Sequence, residues 1–517
     1  MSRDGAHEAT WLLDPRWDDV PSAMPAAFAG AIGLDAGGRF VLLAPHPDDE
    51  TLGLGATLAD LSDAGHDLLV VLLTDGGASH PRCGHVTAPE LIARRNDEFT
   101  AAVALLAPRA RVVRLGFSDG SLPAEADALA AALEGLLEKG DVVLAPLPDD
   151  GHTDHDAAGV VAARVVAESQ AVDGAHAESA PMRLLHYPVW RWRRSDPDRF
   201  PFDRALLLTP SATALHRKER AIGGYTSQTA PLTAFPGGET VVGPADLAPH
   251  RRLVETLVVP ASDPAQYRRI AASTVAEEPS PVARRLAQMF TGGTDSEGDG
   301  VAAGGVDGAR GTEHDDPWRT RTSWYEARKR ALCLAALARP RYERVLDIGC
   351  SVGTLTAELA TRADEVVAID GTPQALRHAR SRYADLGHVR WVDGQVPDDL
   401  PAGPFDLVVL SEVGYFLTGA ELLGALRHAR LALRPGGEIL LCDWTHPTRD
   451  IPLDGELVHR QAVTALGLTR RVALIDPDFA LDVYVEEGVG PDPDGPDPDG
   501  PDTAGLDTAG YDTLAGS

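Results

Sequence analysis

The chain has 517 residues, more than one compact core organises, so two domains and connecting segments are expected. Its 44% hydrophobic and 24% charged content is that of a globular protein rather than a disordered one, and a net charge of -30 argues against nucleic acid as a partner, because phosphate binding needs a concentrated basic face. Cys83, Cys333, Cys350 and Cys442 lie far apart with no CxxC spacing, which speaks against a disulfide framework and for a cytoplasmic location.

The chain opens with an Ala- and Pro-rich arm, 1–38, expected to pack on the first domain. No signal-peptide pattern follows Met1, and no apolar run reaches the roughly 20 residues of a membrane helix, so no membrane partner is expected. The run Phe40 to Leu43 predicts a buried strand, Leu52 to Ala64 a helix, Leu68 to Leu73 a second strand and Pro89 to Leu106 a second helix. Arg111 to Leu115 predicts a strand, Ala124 to Glu138 a helix, and Val142 to Pro146 the strand after it. Strands alternating with helices predict a parallel α/β sheet covered on both faces. Short strands and turns from Met182 to about Gln288 are expected to complete a domain spanning 39–290. The Gly/Asp-rich stretch 291–315 reads as a flexible linker. A second α/β pattern occupies 316–488, and a degenerate Pro-Asp-Gly repeat fills 489–517, where no structure is predicted. The fold class is therefore two Rossmann-like doubly wound domains, a linker and an acidic tail.

The first strand leads directly into Ala44-Pro45-His46-Pro47-Asp48-Asp49-Glu50. In open α/β sheets ligands collect at the carboxyl ends of strands, and an imidazole beside two carboxylates suits a divalent metal. The strand Val142 to Pro146 leads likewise into His152-Thr153-Asp154-His155. A catalytic zinc typically keeps three protein ligands and an open position. His46, Asp49 and His155 are the expected ligands, with Asp48 as general base. His152 is expected as a cation near the scissile carbonyl, and Asp154 as the group that orients an imidazole. His80, Cys83 and His85 read as a pocket-edge loop rather than a second metal site.

With these residues in view, 39 to about 260 resembles the PIG-L/LmbE family of zinc-dependent N-deacetylases. The family's ligands fall on His46, Asp49 and His155, its base on Asp48 and its catalytic histidine on His152. Thr74-Asp75-Gly76, Arg94-Arg95, the turn Ser118-Asp119-Gly120, and Lys218 through Tyr225-Thr226-Ser227-Gln228 add to the likeness. The resemblance implies hydrolysis of an acetamide, usually on an N-acetylglucosamine-type sugar. Arg94 and Asp119 are then candidates for holding sugar hydroxyls, or else a surface arginine and a turn aspartate.

In the second pattern, Val345-Leu346-Asp347-Ile348-Gly349-Cys350-Ser351-Val352-Gly353 is a strand entering a Gly-containing turn and a helix. Asp370 closes the next strand about 20 residues on, where a carboxylate can accept ribose hydroxyls, and Asp393 closes a third, where it can meet an adenine amino group. This span resembles class I S-adenosylmethionine-dependent methyltransferases, the NodS-type N-methyltransferases among them. Asp316-Pro317-Trp318, Trp324 to Arg330 and Glu412 to Leu417 carry the second likeness, and Ser351 stands where the general turn has its middle glycine. The resemblance implies cofactor contacts from Asp347, Gly349, Cys350, Gly353, Asp370 and Asp393. Trp318 or Tyr325 would cover the cofactor and Arg328 would meet its carboxylate. Alternatively the aromatic pair is core and Arg328 a helix-surface charge. Glu412, Tyr415 or His446 could take the proton from an acceptor amine.

Together the two patterns point to a bifunctional enzyme: metal-dependent N-deacetylation of a small N-acetylated sugar or natural product, then methylation of the freed amine. Two alternatives stand beside it: the reactions address separate positions of one natural product, or the first domain is a non-catalytic binding module.

Overall fold

The structure, a computed structural model, describes residues 3–32, 39–173, 180–194, 196–275, 316–446 and 451–486. The expected linker, 291–315, and the Pro-Asp-Gly tail, 489–517, lie outside the described residues.

The strands of the first sheet are β1 (Ser22–Ala23), β2 (Arg39–Ala44), β3 (Asp67–Thr74), β4 (Arg111–Phe117), β5 (Val142–Pro146), β6 (Arg183–Tyr187), β7 (Ala205–Leu208) and β8 (Glu255–Val258). They lie in the order β1-β7-β8-β6-β5-β2-β3-β4. β4, β3, β2, β5 and β6 run parallel, as the alternation of strands and helices predicts. β2 and β5 are buried along their whole length, because helices cover both faces of a parallel sheet. On the other side, in the region of short strands after Met182, β8 is antiparallel to both β6 and β7. The region from Met182 to Gln288 also holds more helix than expected. Its 13-residue helix Ala212–Gly224 packs against the helix Asp49–Asp63.

The helix Asp49–Asp63 breaks at Leu54 (φ -136°, ψ 27°). The N–H groups freed there, on Ala56 and Thr57, donate to the Glu255 carboxylate at 3.0 and 2.7 Å. The Leu52 carbonyl accepts from Lys218 Nζ at 3.1 Å and from the buried His250 Nδ1 at 3.0 Å. Lys218 closes the set with a 2.6 Å ion pair to Glu255. The Glu255, Lys218 and His250 side chains are all buried, which leaves the first turn of this helix fixed in place.

The second sheet comprises β9 (Tyr342–Ile348), β10 (Ala363–Asp370), β11 (Val389–Asp393), β12 (Phe405–Ser411), β13 (Leu433–Trp444), β14 (Thr469–Ile475) and β15 (Phe479–Val485), ordered β11-β10-β9-β12-β13-β15-β14. Its first five strands are parallel, while β15 opposes β13 and β14. Each sheet has one place where successive strands are laid down on opposite sides of a central one. In the first it lies between β2 and β5, in the second between β9 and β12. Such a reversal opens a crevice at the strands' carboxyl ends.

The amino-terminal arm contains a helix, Arg3–Leu12, a 3-10 turn, Pro15–Asp19, and a second helix, Pro25–Ala31. Trp11 is fully buried and packs edge-on to Trp192 and Phe200. The arm also touches the helix Gly455–Ala465 of the second unit, so it packs on both units rather than on the first alone. Among the described residues no helix is long and apolar enough to cross a membrane, and all four cysteines are free.

Candidate functional site

After β2 the chain turns through His46 to Asp48 before the helix Asp49–Asp63 begins. The end of β3 secures this turn, with the Thr74 N–H and hydroxyl both donating to the Pro45 carbonyl. Asp48 adopts φ 131°, a left-handed value that costs a non-glycine residue energy and that clusters at working sites. From the end of β5, His155 comes in on the helix Thr153–Asp173.

Across the crevice three donor atoms converge. His46 Nδ1 is 3.2 Å from Asp49 Oδ2, His155 Nε2 is 3.1 Å from the same oxygen, and the two nitrogens are 3.3 Å apart. Tetrahedral ligands held about 2.0–2.1 Å from one ion stand about 3.3 Å from each other, so the triangle fits a single zinc-sized cation. All three side chains are buried.

The far nitrogens of both imidazoles face carboxylates. His46 Nε2 lies 3.2 Å from Asp154 Oδ2 and 3.2 Å from Asp119 Oδ1, while His155 Nδ1 forms a 2.8 Å ion pair with Asp150 Oδ2. Asp154 is itself held by the N–H groups of Gly120 and Leu122, and Asp150 by those of Val189, Trp190 and Arg191. Burial works against imidazolium, yet Asp119, Asp154 and Asp49 raise His46 well above its ordinary pKa. Asp49 and Asp150 likewise push His155 up to about 9 despite its burial. Burial would also raise Asp49, but the His155 and His46 imidazoles hold it well below the usual carboxylate range. Four carboxylates around two imidazoles make a field that a dication complements.

Asp48 stands beside this triangle. Burial raises its pKa to about 7, against the pull of Arg95, whose Nη2 lies 3.3 Å away. A carboxyl titrating near neutrality is suited to general-base work. Glu50, fully buried and pushed up to about 7 by burial, accepts the Asp48 N–H at 3.2 Å. The Thr51 and Tyr225 hydroxyls donate to its other oxygen. His152 packs edge-on to His46 (ring centroids 4.7 Å) and stacks on Trp190 (5.7 Å). Its Nδ1 accepts the Asp154 N–H at 3.3 Å, so Nε2 is the proton-bearing nitrogen of the neutral ring. Burial, then the neighbouring His46 and His155, lower its pKa, which works against the charged form.

Of the two readings open for Arg94 and Asp119, the partners in the fold match a surface arginine and a turn aspartate. Arg94 is exposed and tied to Thr226 and Glu98. The arginine at the site is Arg95, which bonds the Gly76 and Pro47 carbonyls from a buried position. Asp119 does not wait for a hydroxyl: one oxygen backs His46 and the other accepts the Ala78 N–H. The His80, Cys83 and His85 side chains engage Ser79, Thr233 and Phe235 respectively. Among the described residues the groups able to hold a metal all centre on His46, one with His152 and His155 and another with Asp119 and Asp154.

In the second crevice, Gly349 (φ 76°) and Gly353 (φ 79°) shape the turn after β9. A Cβ on Gly349 would lie 2.6 Å from Val413 and one on Gly353 2.5 Å from Trp391, so only glycine fits. Ser351 adopts φ 49°, and its buried hydroxyl has no hydrogen-bond partner. Asp370 braces the turn by accepting the Ser351 and Thr372 N–H groups, both at 2.8 Å. Asp393 pairs in register with Asp370 on the neighbouring strand and is exposed at its end. Asp347 is buried and raised to about 6 by that burial, with the Thr356 hydroxyl 2.6 Å away. Cys350 is buried, and burial raises its thiol well above the ordinary value. Trp318 packs on Val352 at the turn, and Tyr325 packs edge-on to Trp444 with its buried hydroxyl unpartnered. Positive-φ glycines, a braced turn and orphaned hydroxyls suit a nucleoside ligand.

Arg328 is exposed and pairs with Asp476 at 2.5 Å, as a helix-surface charge would. Lys329, one residue on, is buried and pairs with Glu326 at 2.9 Å and Glu412 at 2.7 Å. Tyr415 donates its hydroxyl to Glu412, so these two expected residues do meet. His446 is exposed beside Trp444 and 2.9 Å from Asp478.

Comparison with known proteins agrees with this division. Residues 41–166 match the PIG-L family, GlcNAc-PI de-N-acetylase, and residues 309–446 match NodS, nodulation protein S. The chain is 33% identical over 128 residues to nodulation protein S of Rhizobium tropici, covering 24% of this chain and 54% of that protein. It is 33% identical over 132 residues to the diacetylchitobiose deacetylase of Thermococcus kodakarensis, covering 25% of this chain and 49% of that protein. The chain thus spans about half the length of these curated relatives. An uncharacterized methyltransferase of Mycobacterium bovis is 30% identical over 163 residues, covering 31% of this chain and 74% of that protein. The N-methyltransferase NodS from Bradyrhizobium japonicum, solved with S-adenosyl-L-homocysteine, is 23% identical, with 34% of this chain and 93% of that one covered and a TM-score of 0.30.

Proposed function

The chain belongs to the methyltransferases through its second sheet and matches the PIG-L family through its first, and we propose that it removes an N-acetyl group at one crevice and methylates the freed amine at the other. The observation that carries the first half is the mutual 3.1–3.3 Å spacing of His46 Nδ1, Asp49 Oδ2 and His155 Nε2. These three residues would hold a divalent ion, zinc being the natural fit. When bound, it would polarise the acetamide carbonyl and make nearby water more acidic.

The chain's own groups do the rest. Asp48, held in its strained turn by Glu50 and Arg95, takes a proton from the attacking water. His152 donates from Nε2 toward the carbonyl oxygen as negative charge develops there. Asp150, Asp154 and Asp119 hold the two ligand rings in orientation. The substrate class is an N-acetylated sugar or a related small molecule, in keeping with the deacetylases this segment resembles.

In the second crevice the cofactor is S-adenosylmethionine, whose sulfonium supplies the methyl group. Asp347, Gly349, Cys350 and Gly353 would cradle it, Asp370 and Asp393 would meet its nucleoside, and Trp318 or Tyr325 would cover it. The acceptor amine must lose a proton, and the Glu412–Tyr415 pair is the group we assign to take it.

Incubation with N-acetylated saccharides, zinc and labelled S-adenosylmethionine tests both steps. Acetate release lost in Asp48→Asn, and label appearing on nitrogen only after deacetylation, is the expected result. Label reaching the still-acetylated compound would reject the proposed order.

A further inference from the structure

The apolar core does not end with the first sheet. One continuous cluster of buried side chains runs from Trp11 and Leu253 of the amino-terminal half to Leu423, Leu457 and Tyr484 of the other. Polar ties cross the same face. The buried Glu8 holds Arg252 with two bonds of 2.6 and 2.8 Å, fixing the arm to the first unit. From the same arm, the Leu12 carbonyl and the Asp18 carboxylate both accept from the buried Arg427 of the second unit. The Leu253 N–H donates to the buried Gln461 Oε1 at 3.0 Å, and His216 meets Asp454 at 2.7 Å.

Gly419 shows how close the approach is. A Cβ there would lie 2.2 Å from the Leu253 carbonyl oxygen, so two backbones touch where only glycine permits it. A face that combines core-like apolar packing, buried hydrogen bonds and backbone contact has the character of an obligate interface rather than of an encounter between tethered domains.

We infer that this face is a permanent joint: the surface around Leu253 and the arm 8–18 is built to receive the helices Gly419–Ala432 and Gly455–Ala465, and the two units stay together without the covalent connection. The partner that each surface fits is the other half of the same chain. The inference is independent of the chemistry assigned to either crevice.

A full-length chain carrying a protease site inserted after Gly300 tests it. After complete cleavage, the two fragments are expected to co-elute in a 1:1 ratio at the 54.7 kDa of the intact chain, and to do so at nanomolar concentration. Separate elution of the fragments would overturn the inference. In the cut protein, Gly419→Leu is expected to weaken the association at least 100-fold, and Gln461→Ala combined with His216→Ala about 10-fold, a double variant that creates no clash. Fragments of the double variant that hold as tightly as the wild type would place the joint elsewhere and end the inference, whether or not Gly419→Leu folds.

Discussion

The Tyr225 hydroxyl donates to Glu50 Oε1 at 2.5 Å inside a pocket where neither residue reaches solvent. Glu50 in turn accepts the Asp48 N–H, so a residue far along the chain sets the backbone of the proposed base. Tyr225→Phe leaves a buried acceptor with one donor fewer, which costs about 1–3 kcal/mol. Urea unfolding should record that loss. Acetate release should show kcat reduced about tenfold with KM nearly unchanged, because the tyrosine acts through Glu50 and Asp48 rather than on substrate. A change confined to KM would mean that Tyr225 touches the substrate instead.

Asp150 is the clearest support for a ligand that sequence reasoning left out. Its carboxylate lies 2.8 Å from His155 Nδ1 and accepts three consecutive backbone N–H groups. Asp150→Asn removes the charge that aligns this ring while keeping much of the shape. Zinc affinity should fall about 10–100-fold, as read by competition with a chromogenic chelator. Excess zinc should restore most of the acetate release. Unchanged zinc affinity would remove Asp150 from the site.

What the sequence revealed and what it hid follow from one distinction. Segments whose chemistry is local, such as His46 to Glu50 and Asp347 to Gly353, could be placed because each directly follows a strand. Side chains that enter from a distance, such as Tyr225 onto Glu50 and Asp150 onto His155, have no local signature. Two adjacent pairs of cations show a further limit. In Arg94-Arg95 and Arg328-Lys329 the motif singles out the first residue, and in each pair the second is buried. The signal was present: Leu91, Arg95 and Phe99 are four apart and line the buried face of one helix, as Tyr325, Lys329 and Cys333 do on the inner face of another. The joint between the units was invisible because apolar spacing says that a helix face is buried, not against what.

Gly353 tests the second crevice without disturbing the first. Ala at this position would need φ 79° and would press its methyl group into Trp391. Binding of S-adenosylmethionine, followed by calorimetry, should weaken at least 100-fold, since the turn must open to accept the side chain. Acetate release should stay within about twofold of wild type. Asp370→Ala removes the brace on the Ser351 and Thr372 N–H groups, and a loss of about 2 kcal/mol in the same assay is expected. Full cofactor affinity in both variants would rule out this turn as the cradle.

His459 links stability to pH. Its Nδ1 is 2.8 Å from Asp482 and its Nε2 3.4 Å from Asp443. Burial lowers its proton affinity, but the two carboxylates outweigh it and raise the pKa to about 9, above the ordinary 6.5. Protons are therefore bound more tightly in the folded chain than in the unfolded one. The resulting stabilisation is complete below about pH 6.5 and disappears as the pH rises through about 9. Denaturant midpoints measured from pH 6 to pH 10 should thus fall for the wild type, most steeply between pH 7 and pH 9.5. His459→Gln should start lower and change less over that window. A wild-type midpoint that holds level through pH 9.5 would show that the imidazole is not charged in the fold.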